Sequence, residues 1–232
     1  MKQEGQIPFD LLARFIDILQ KGTILCYLLV AMRGRDPQDA RRRLYEYAVS
    51  QGGYFTAAQA KAAGYPKQLQ YYHARRGNWV REDRGIYRLW EWPRSSHEDL
   101  IHWTLWSGGA AVFSHVTAMA VHEISDLLPA KIYMTVPPGF RKRLPSGIVV
   151  YRSHLTPHEI EQREGFRVTT PLRTLMDAAQ IAVDAERLSD GIRDAIRKGL
   201  LTDRHIEGAI GKLKGKAAER LHHALMEARR TA

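Results

Sequence analysis

Between Lys67 and Arg75 the chain reads KQLQYYHAR, a run of amide, phenol and cationic side chains at helical spacing. If Leu69 and Tyr72 face a core, with His73 or Arg76 nearby, the opposite face presents Lys67, Gln68, Gln70, Tyr71, Ala74 and Arg75. Gln and Arg can make paired hydrogen bonds to adenine and guanine edges in a major groove, whereas Lys and Tyr suit phosphates. Arg81, Arg84 and Arg88 follow, with guanidinium groups for the backbone or minor groove, and Thr56 completes the set of expected DNA contacts. The chemistry indicated is recognition of double-stranded DNA. A solvated basic surface that serves a protein partner uses the same residue types.

The surrounding residues say what positions these groups. A first helix is expected from Arg42 to Ser50, with Leu44, Tyr47 and Ala48 at helical spacing, ending at Gly52-Gly53. Thr56 is a good N-cap for a second helix, Ala57 to Ala63, which Gly64 stops. Pro66 suits the first turn of a third helix through Arg76, because its missing N–H costs nothing there. Trp79-Val80-Arg81, a polar turn and Ile86-Tyr87-Arg88-Leu89 then read as a β-hairpin. Three helices and a wing in this order describe a winged helix-turn-helix.

Charge agrees with that reading. The 232 residues carry a net charge of +10. Residues 41–95 hold eleven Lys/Arg against four Asp/Glu, whereas residues 96–180 hold eight of each. An excess gathered on one module is the electrostatic footprint of a polyanion partner, with binding that weakens steeply in salt. One cysteine, Cys26, excludes an internal disulfide framework and is expected to be a packing residue. It lies in the apolar run Ile24 to Met32, too short to span a bilayer. With no basic leader and no cleavage site read at the start, a cytoplasmic protein with no membrane partner is expected.

Ten histidines invite a metal or enzyme reading. His154 and His158 are separated by Pro157, and His115 and His122 can share a helix face, but neither pair has the Cys/His/Asp grouping of a zinc site. Ser114-His115 reads as a helix N-cap and its neighbour, not a nucleophile with its base. No catalytic residue, metal or cofactor is expected.

The fold class expected is α+β: a winged helix-turn-helix followed by a mixed α/β domain with a helical C-terminal part. Residues 1–40 form a helical opening segment, with Phe9, Leu12, Phe15, Ile16 and Leu19 at helical spacing and a break at Gly34-Arg35-Asp36-Pro37. Such a segment can pack on the C-terminal domain or form a dimer contact. Residues 41–95 are the DNA-binding domain, and 96–232 the C-terminal domain, α+β to about 180. In that domain a helix from His97 to Trp106 follows a Ser96 cap, and a second helix starts at Ser114. Lys131 to Val136 and Gly147 to Ser153 are expected as antiparallel strands joined by a loop with Arg141-Lys142-Arg143. That basic cluster is either a solvated loop or an extension of the DNA surface. A short helix from Pro157 to Arg163, a strand at Phe166 to Thr169 and a helix with Pro171 at its first position come next. Helices at 183–198, 202–213 and 216–229 complete the chain, with Leu188, Ile192, Ile206, Leu221, Leu225 and Met226 among the apolar positions.

Three stretches resemble one family. YFTAAQAKAAGYPKQLQYYHARRGNWVREDRGIYRL is similar to the N-terminal domain of AbiEi-type antitoxins, SHVTAMAVHEISDLLP to that family's Ser-His-x-Thr-Ala stretch, and VTTPLRTLMDAA to its Thr-Thr-Pro segment. The likeness runs from residue 41 to about 180. It implies an antitoxin of a type IV toxin–antitoxin, or abortive-infection (phage-defence), pair. Such a protein binds inverted repeats at its own promoter through the winged helix, represses its operon, and opposes a nucleotidyltransferase toxin without a stable complex. The resemblance carries DNA contact onto Lys67, Gln68, Tyr71, Arg75 and Arg84, and no catalytic residue. One chain carries one wing, so palindromic DNA needs two chains, or monomers bound cooperatively. Two alternatives stay open: a stand-alone winged-helix regulator, and a nuclease, since segments like TTPLRTLMDAA also precede restriction-like nuclease domains. The latter need an Asp and a Glu-x-Lys-type strand, and after Ala179 the pattern is helical.

Overall fold

Asp36 sets the start of the first helix. The computed structural model describes residues 36–126 and 129–231, so the readings for residues 1–35, Cys26 included, lie outside it. The Asp36 carboxylate accepts from the Gln38 amide at 2.9 Å, and Pro37 takes the first helical position. Helix α1 (Pro37–Val49) therefore begins before the expected Arg42, because what reads as a break is a cap followed by its proline. The division drawn at residue 40 falls inside α1, which buries Ala40, Leu44 and Ala48 and leaves Tyr47 exposed. The described chain divides into two compact units, changing over between Pro93 and Arg94.

In the first unit, strand β1 (Tyr54–Thr56) follows the glycine turn and leads into α2 (Ala57–Ala63). Thr56 and Gln59 form a reciprocal capping box, and Gly64, at φ 115°, ends the helix in a left-handed conformation that glycine adopts without strain. Helix α3 (Lys67–Arg75) has Pro66 at its N-cap, one place earlier than expected. Strands β2 (Trp79–Asp83) and β3 (Ile86–Leu89) pair antiparallel with an irregularity between Arg81 and Asp83, and the sheet order is β1-β3-β2. The core is Leu44, Phe55, Ala60, Ala63, Tyr65, Leu69 and Trp79, with Phe55 and Tyr65 edge-on to Trp79. Gly53 turns at φ 84° where a Cβ would lie 2.2 Å from the Trp92 ring, so only glycine fits.

The second unit is built on a five-stranded sheet whose strands lie in the order 148–152, 132–136, 112–113, 166–169 and 160–163. Its elements are α4 (Glu98–Ser107), β4 (Val112–Phe113), α5 (His115–Val121), β5 (Ile132–Val136), β6 (Ile148–Arg152), β7 (Ile160–Arg163) and β8 (Phe166–Thr169). Two expectations are corrected. Strands β5 and β6 pair in parallel, Ile132 opposite Ile148, because the long connection carries the chain back to the strand's starting end instead of folding a hairpin. The stretch expected as a helix to Arg163 is a 3-10 turn (Pro157–Glu159) and then β7, which pairs antiparallel with β8 about Gly165 at φ 79°. His97, not Ser96, occupies the N-cap of α4, and no side chain caps it. Short β4 sits in the middle, antiparallel to β5 and parallel to β8.

Helices α6 (Pro171–Gln180), α7 (Ala185–Arg197), α8 (Asp203–Ile210) and α9 (Lys216–Arg230) pack with α5 around Met119, Leu175, Leu188, Ile192, Ile206, Leu221 and Leu225. Met226, expected in that core, is half exposed instead. In the middle of α7 Gly191 lets the helix approach closely: a Cβ there would lie 2.9 Å from Met119 Cε and 3.1 Å from the Ile124 carbonyl oxygen. No helix among the described residues is long and apolar enough to cross a membrane.

Candidate nucleic-acid interface

Helix α3 is held by its inner face. Leu69 enters the core, and the Gln70 amide is only 6% exposed. Gln70 Nε2 donates to the Ala57 carbonyl at 3.0 Å and to the Tyr65 carbonyl at 2.8 Å, tying α3 to α2 and the turn between them. This corrects the expectation that Gln70 reads DNA: its donors are spent on the carbonyls of Ala57 and Tyr65. His73 anchors the other end. Its ring stacks on Trp79 at 4.9 Å, and Asn78 Nδ2 lies 3.0 Å from His73 Nδ1. Since an amide nitrogen donates, Nδ1 accepts and the ring is neutral, which agrees with burial lowering its pKa.

The helix is therefore rotated from the expected setting. Tyr72 is 41% exposed, not in the core. The outward residues are Lys67, Gln68, Tyr71 (63% exposed), Tyr72, Arg75 and Arg76. The guanidinium groups of Arg75 and Arg76 lie 5.8 and 5.4 Å from the rings of Tyr71 and Tyr72, so each cation rides on the phenol one turn back. Sequence reasoning missed Tyr72 and Arg76 as surface residues, although the Tyr-x-x-x-Arg spacing, repeated one residue on, was a signal for two such outward pairs.

On the wing the expected residues separate. Arg81 and Arg84 are exposed, and neither is in an ion pair among the described residues. Arg88 is 5% exposed and is a correction. Its Nε contacts Glu82 at 2.9 Å, and Nη1 donates to the Leu89 and Trp92 carbonyls at 3.2 and 3.1 Å. It braces the base of the wing. Thr56 is likewise committed. Its hydroxyl accepts from the Gln59 amide at 3.1 Å and donates to Gln59 Oε1, so what it contributes is the α2 cap. Arg43, at the other end of α2, donates twice to the Ala63 carbonyl, at 3.2 and 3.1 Å.

Further chemistry-bearing groups lie in the second unit. Ser114 is buried and does not cap α5; its Oγ accepts from Thr135 Oγ1 at 2.9 Å and lies 2.8 Å from His115 Nδ1. His115, at φ 55°, stacks on Tyr151 at 3.9 Å, and burial, helped by the charge of Arg173, lowers its pKa to about 4. His122 points elsewhere, Nε2 donating to the Thr169 carbonyl at 2.7 Å. Asp177 accepts from Arg173 Nε at 2.7 Å, and Arg173 also contacts Glu159. Burial, which leaves Asp177 Oδ2 without a donor, outweighs the arginine and raises that carboxyl to about 6. Among the described residues no three His, Cys, Asp or Glu side chains converge to hold a metal ion.

Residues 42–89, α1 through the wing, match the model of a family described as transcriptional regulator, AbiEi antitoxin. The winged unit is similar to an AbiEi-type module. The match spans the helix–wing geometry described above, and the AbiEi-type module is that of a family of transcriptional regulators. Among solved structures the chain is similar to the RV2827C protein from Mycobacterium tuberculosis, with a TM-score of 0.53 and 18% identity over 84% of this chain and 78% of that one. Likeness at that identity concerns the fold, here mixed α and β throughout. No curated protein matches the chain.

Proposed function

We propose that the AbiEi-type module binds double-stranded DNA, with the outer face of α3 in the major groove and Arg81 and Arg84 of the wing on the backbone or minor groove. The observation that carries this reading is the division of labour among the polar residues. Gln70, Arg88 and Thr56 are consumed in holding the module together, whereas Lys67, Gln68, Tyr71, Arg75, Arg81 and Arg84 are exposed. A helix that keeps its inward amide for the scaffold and its outward amide, phenol and cations exposed has the donor set for base edges and phosphates. The excess of Lys/Arg over Asp/Glu in residues 41–95 supplies the long-range attraction.

Within that reading the chain acts in the cytoplasm as antitoxin and autorepressor of a type IV toxin–antitoxin operon. It binds inverted repeats at its own promoter, two copies cooperatively, and opposes a nucleotidyltransferase toxin without a stable complex. Support for the antitoxin half comes from the family description of the module. The test is a salt-titrated mobility shift on the upstream fragment, comparing wild type with Lys67→Ala/Arg75→Ala, together with co-expression of the neighbouring toxin gene. Selective wild-type binding that the double variant loses, and restored growth, are expected. Equal weak binding of both proteins to any DNA would overturn the reader assignment. Repression without growth rescue would leave a stand-alone regulator.

A further inference from the structure

The second unit carries a separate concentration of positive charge. Between Asp126 and Glu159 the sequence has no acidic residue, yet it includes Lys131, Arg141, Lys142, Arg143 and Arg152. All five are exposed, and none is in an ion pair among the described residues. Three of them stand together on the β5–β6 connection. Elsewhere in this unit arginines are mostly paired: Arg173 with Asp177 and Glu159, Arg193 with Asp190, Arg229 with Asp203 and Glu207. Three adjacent exposed cations left without counter-charge point to a polyanion.

Aromatic rings adjoin that cluster. Trp103 lies edge-on to Trp106 at 5.4 Å, and Trp106 lies 5.9 Å from Phe140, the residue that precedes Arg141. Lys142 Nζ sits 5.5 Å from the centre of the Trp106 ring and donates to the Trp106 carbonyl. These rings are half-buried. Cations beside aromatic rings suit a strand whose bases are unpaired, because every base has a face that stacks and every nucleotide a phosphate that pairs with Lys or Arg. A duplex would use the cations and leave the rings idle. We infer that the Arg141–Arg143 loop and the Trp103–Trp106–Phe140 cluster form a second nucleic-acid site, one that takes a single-stranded segment. On binding, Lys142 moves from the Trp106 ring to a phosphate, and a base takes its place. The inference does not depend on what α3 binds.

The experiment is fluorescence anisotropy of the full chain with labelled oligo(U) and oligo(dT) of about twenty nucleotides, beside a duplex of equal length, across a salt series. The proteins are wild type, Arg141→Ala/Lys142→Ala/Arg143→Ala, Trp106→Leu and Lys67→Ala/Arg75→Ala. Wild type should bind the single strands, and the α3 variant should retain that binding. The triple variant should lose about tenfold or more in affinity, with a salt slope shallower by roughly two, since each phosphate contact on a single strand contributes about 0.7. Trp106→Leu, which keeps an apolar side chain but removes the ring, should weaken single-strand binding and leave duplex binding unchanged. Absence of single-strand binding by wild type at low salt overturns the inference. So does a triple variant that binds single strands as wild type does, or one that loses only the duplex. Weakening by the triple variant without any effect of Trp106→Leu overturns the stacking half.

Discussion

Gln70 offers the sharpest test of how the module is organised, because sequence and structure assign it opposite duties. Truncation to alanine removes two hydrogen bonds, to the Ala57 and Tyr65 carbonyls, from a site that is 6% exposed. Each such bond contributes about 1 kcal/mol net, and a stranded buried carbonyl adds to the loss, so roughly 2–3 kcal/mol is expected. In native-state hydrogen exchange of the full chain, peptides from α2 and α3 should then exchange about 30- to 150-fold faster, at tenfold per 1.4 kcal/mol. Peptides from α7 and α9, in the other unit, should be unchanged. In a mobility shift on the upstream fragment at low temperature, folded Gln70→Ala should bind as wild type does. Gln68→Ala should show the reverse: normal exchange and weakened binding. If Gln70→Ala exchanged normally yet bound DNA poorly, the amide would be a reader after all and the rotation assigned to α3 would be wrong.

Three further outcomes follow from other sites. Arg88→Ala leaves Glu82 and the Trp92 carbonyl without their partner at the wing base, so it should cost about 3 kcal/mol in urea denaturation of the first unit, with little effect on the DNA affinity of the folded fraction. Gly53→Ala should destabilise that unit by more than about 2 kcal/mol, since it combines a positive φ with a clash against Trp92; a thermal midpoint within error of wild type would refute this. His115 has a folded pKa of about 4 against an ordinary 6.5, so its contribution, on the order of 3 kcal/mol, is complete above pH 6.5 and is lost as pH falls through 4. Asp177, raised to about 6, runs the other way, its contribution being present below its ordinary 3.8 and lost as pH rises through 6. Denaturation midpoints measured from pH 7 to pH 4 should therefore fall less steeply in His115→Gln than in wild type; an unchanged profile would contradict the burial argument.

Much of the winged unit was legible because its punctuation is local. Thr56 with Gln59, Gly64, Pro66 and the glycine turns act through backbone conformation and near neighbours, and α2 and the hairpin came out where those residues place them. The facing of α3 was not legible. Leu69 and Tyr72 at i, i+3 satisfy a helical period as well as Leu69 with Gln70 and His73 do. Burial of an amide is acceptable only because the Ala57 and Tyr65 carbonyls stand ready to receive it. Arg88 was misplaced for a similar reason: its acceptors include Trp92 O, beyond the hairpin that the pattern defines. Strand β1 is three residues long, too short for alternation to register. In the second unit the strands themselves were mostly readable, but the direction of β6 depends on the path of the connection before it, which composition does not encode.

The two-residue strand β4 bears on how the second unit comes into being. Val112 and Phe113 occupy the centre of the sheet, yet their partners are β5, some twenty residues on, and β8, more than fifty residues on. Such a short strand gains almost nothing until both neighbours arrive, and closing the longer loop carries an entropic cost before any bond offsets it. The sheet is therefore expected to form late and all at once, in a chain where contacts of the winged unit are mostly between near neighbours in sequence. During synthesis the strands that pair in the winged unit's sheet are all within reach once residue 93 is clear of the ribosome, while Val112 and Phe113 must wait for Phe166–Thr169. The interval between those two moments is a window in which the proposed DNA-binding surface can exist before the rest of the protein does.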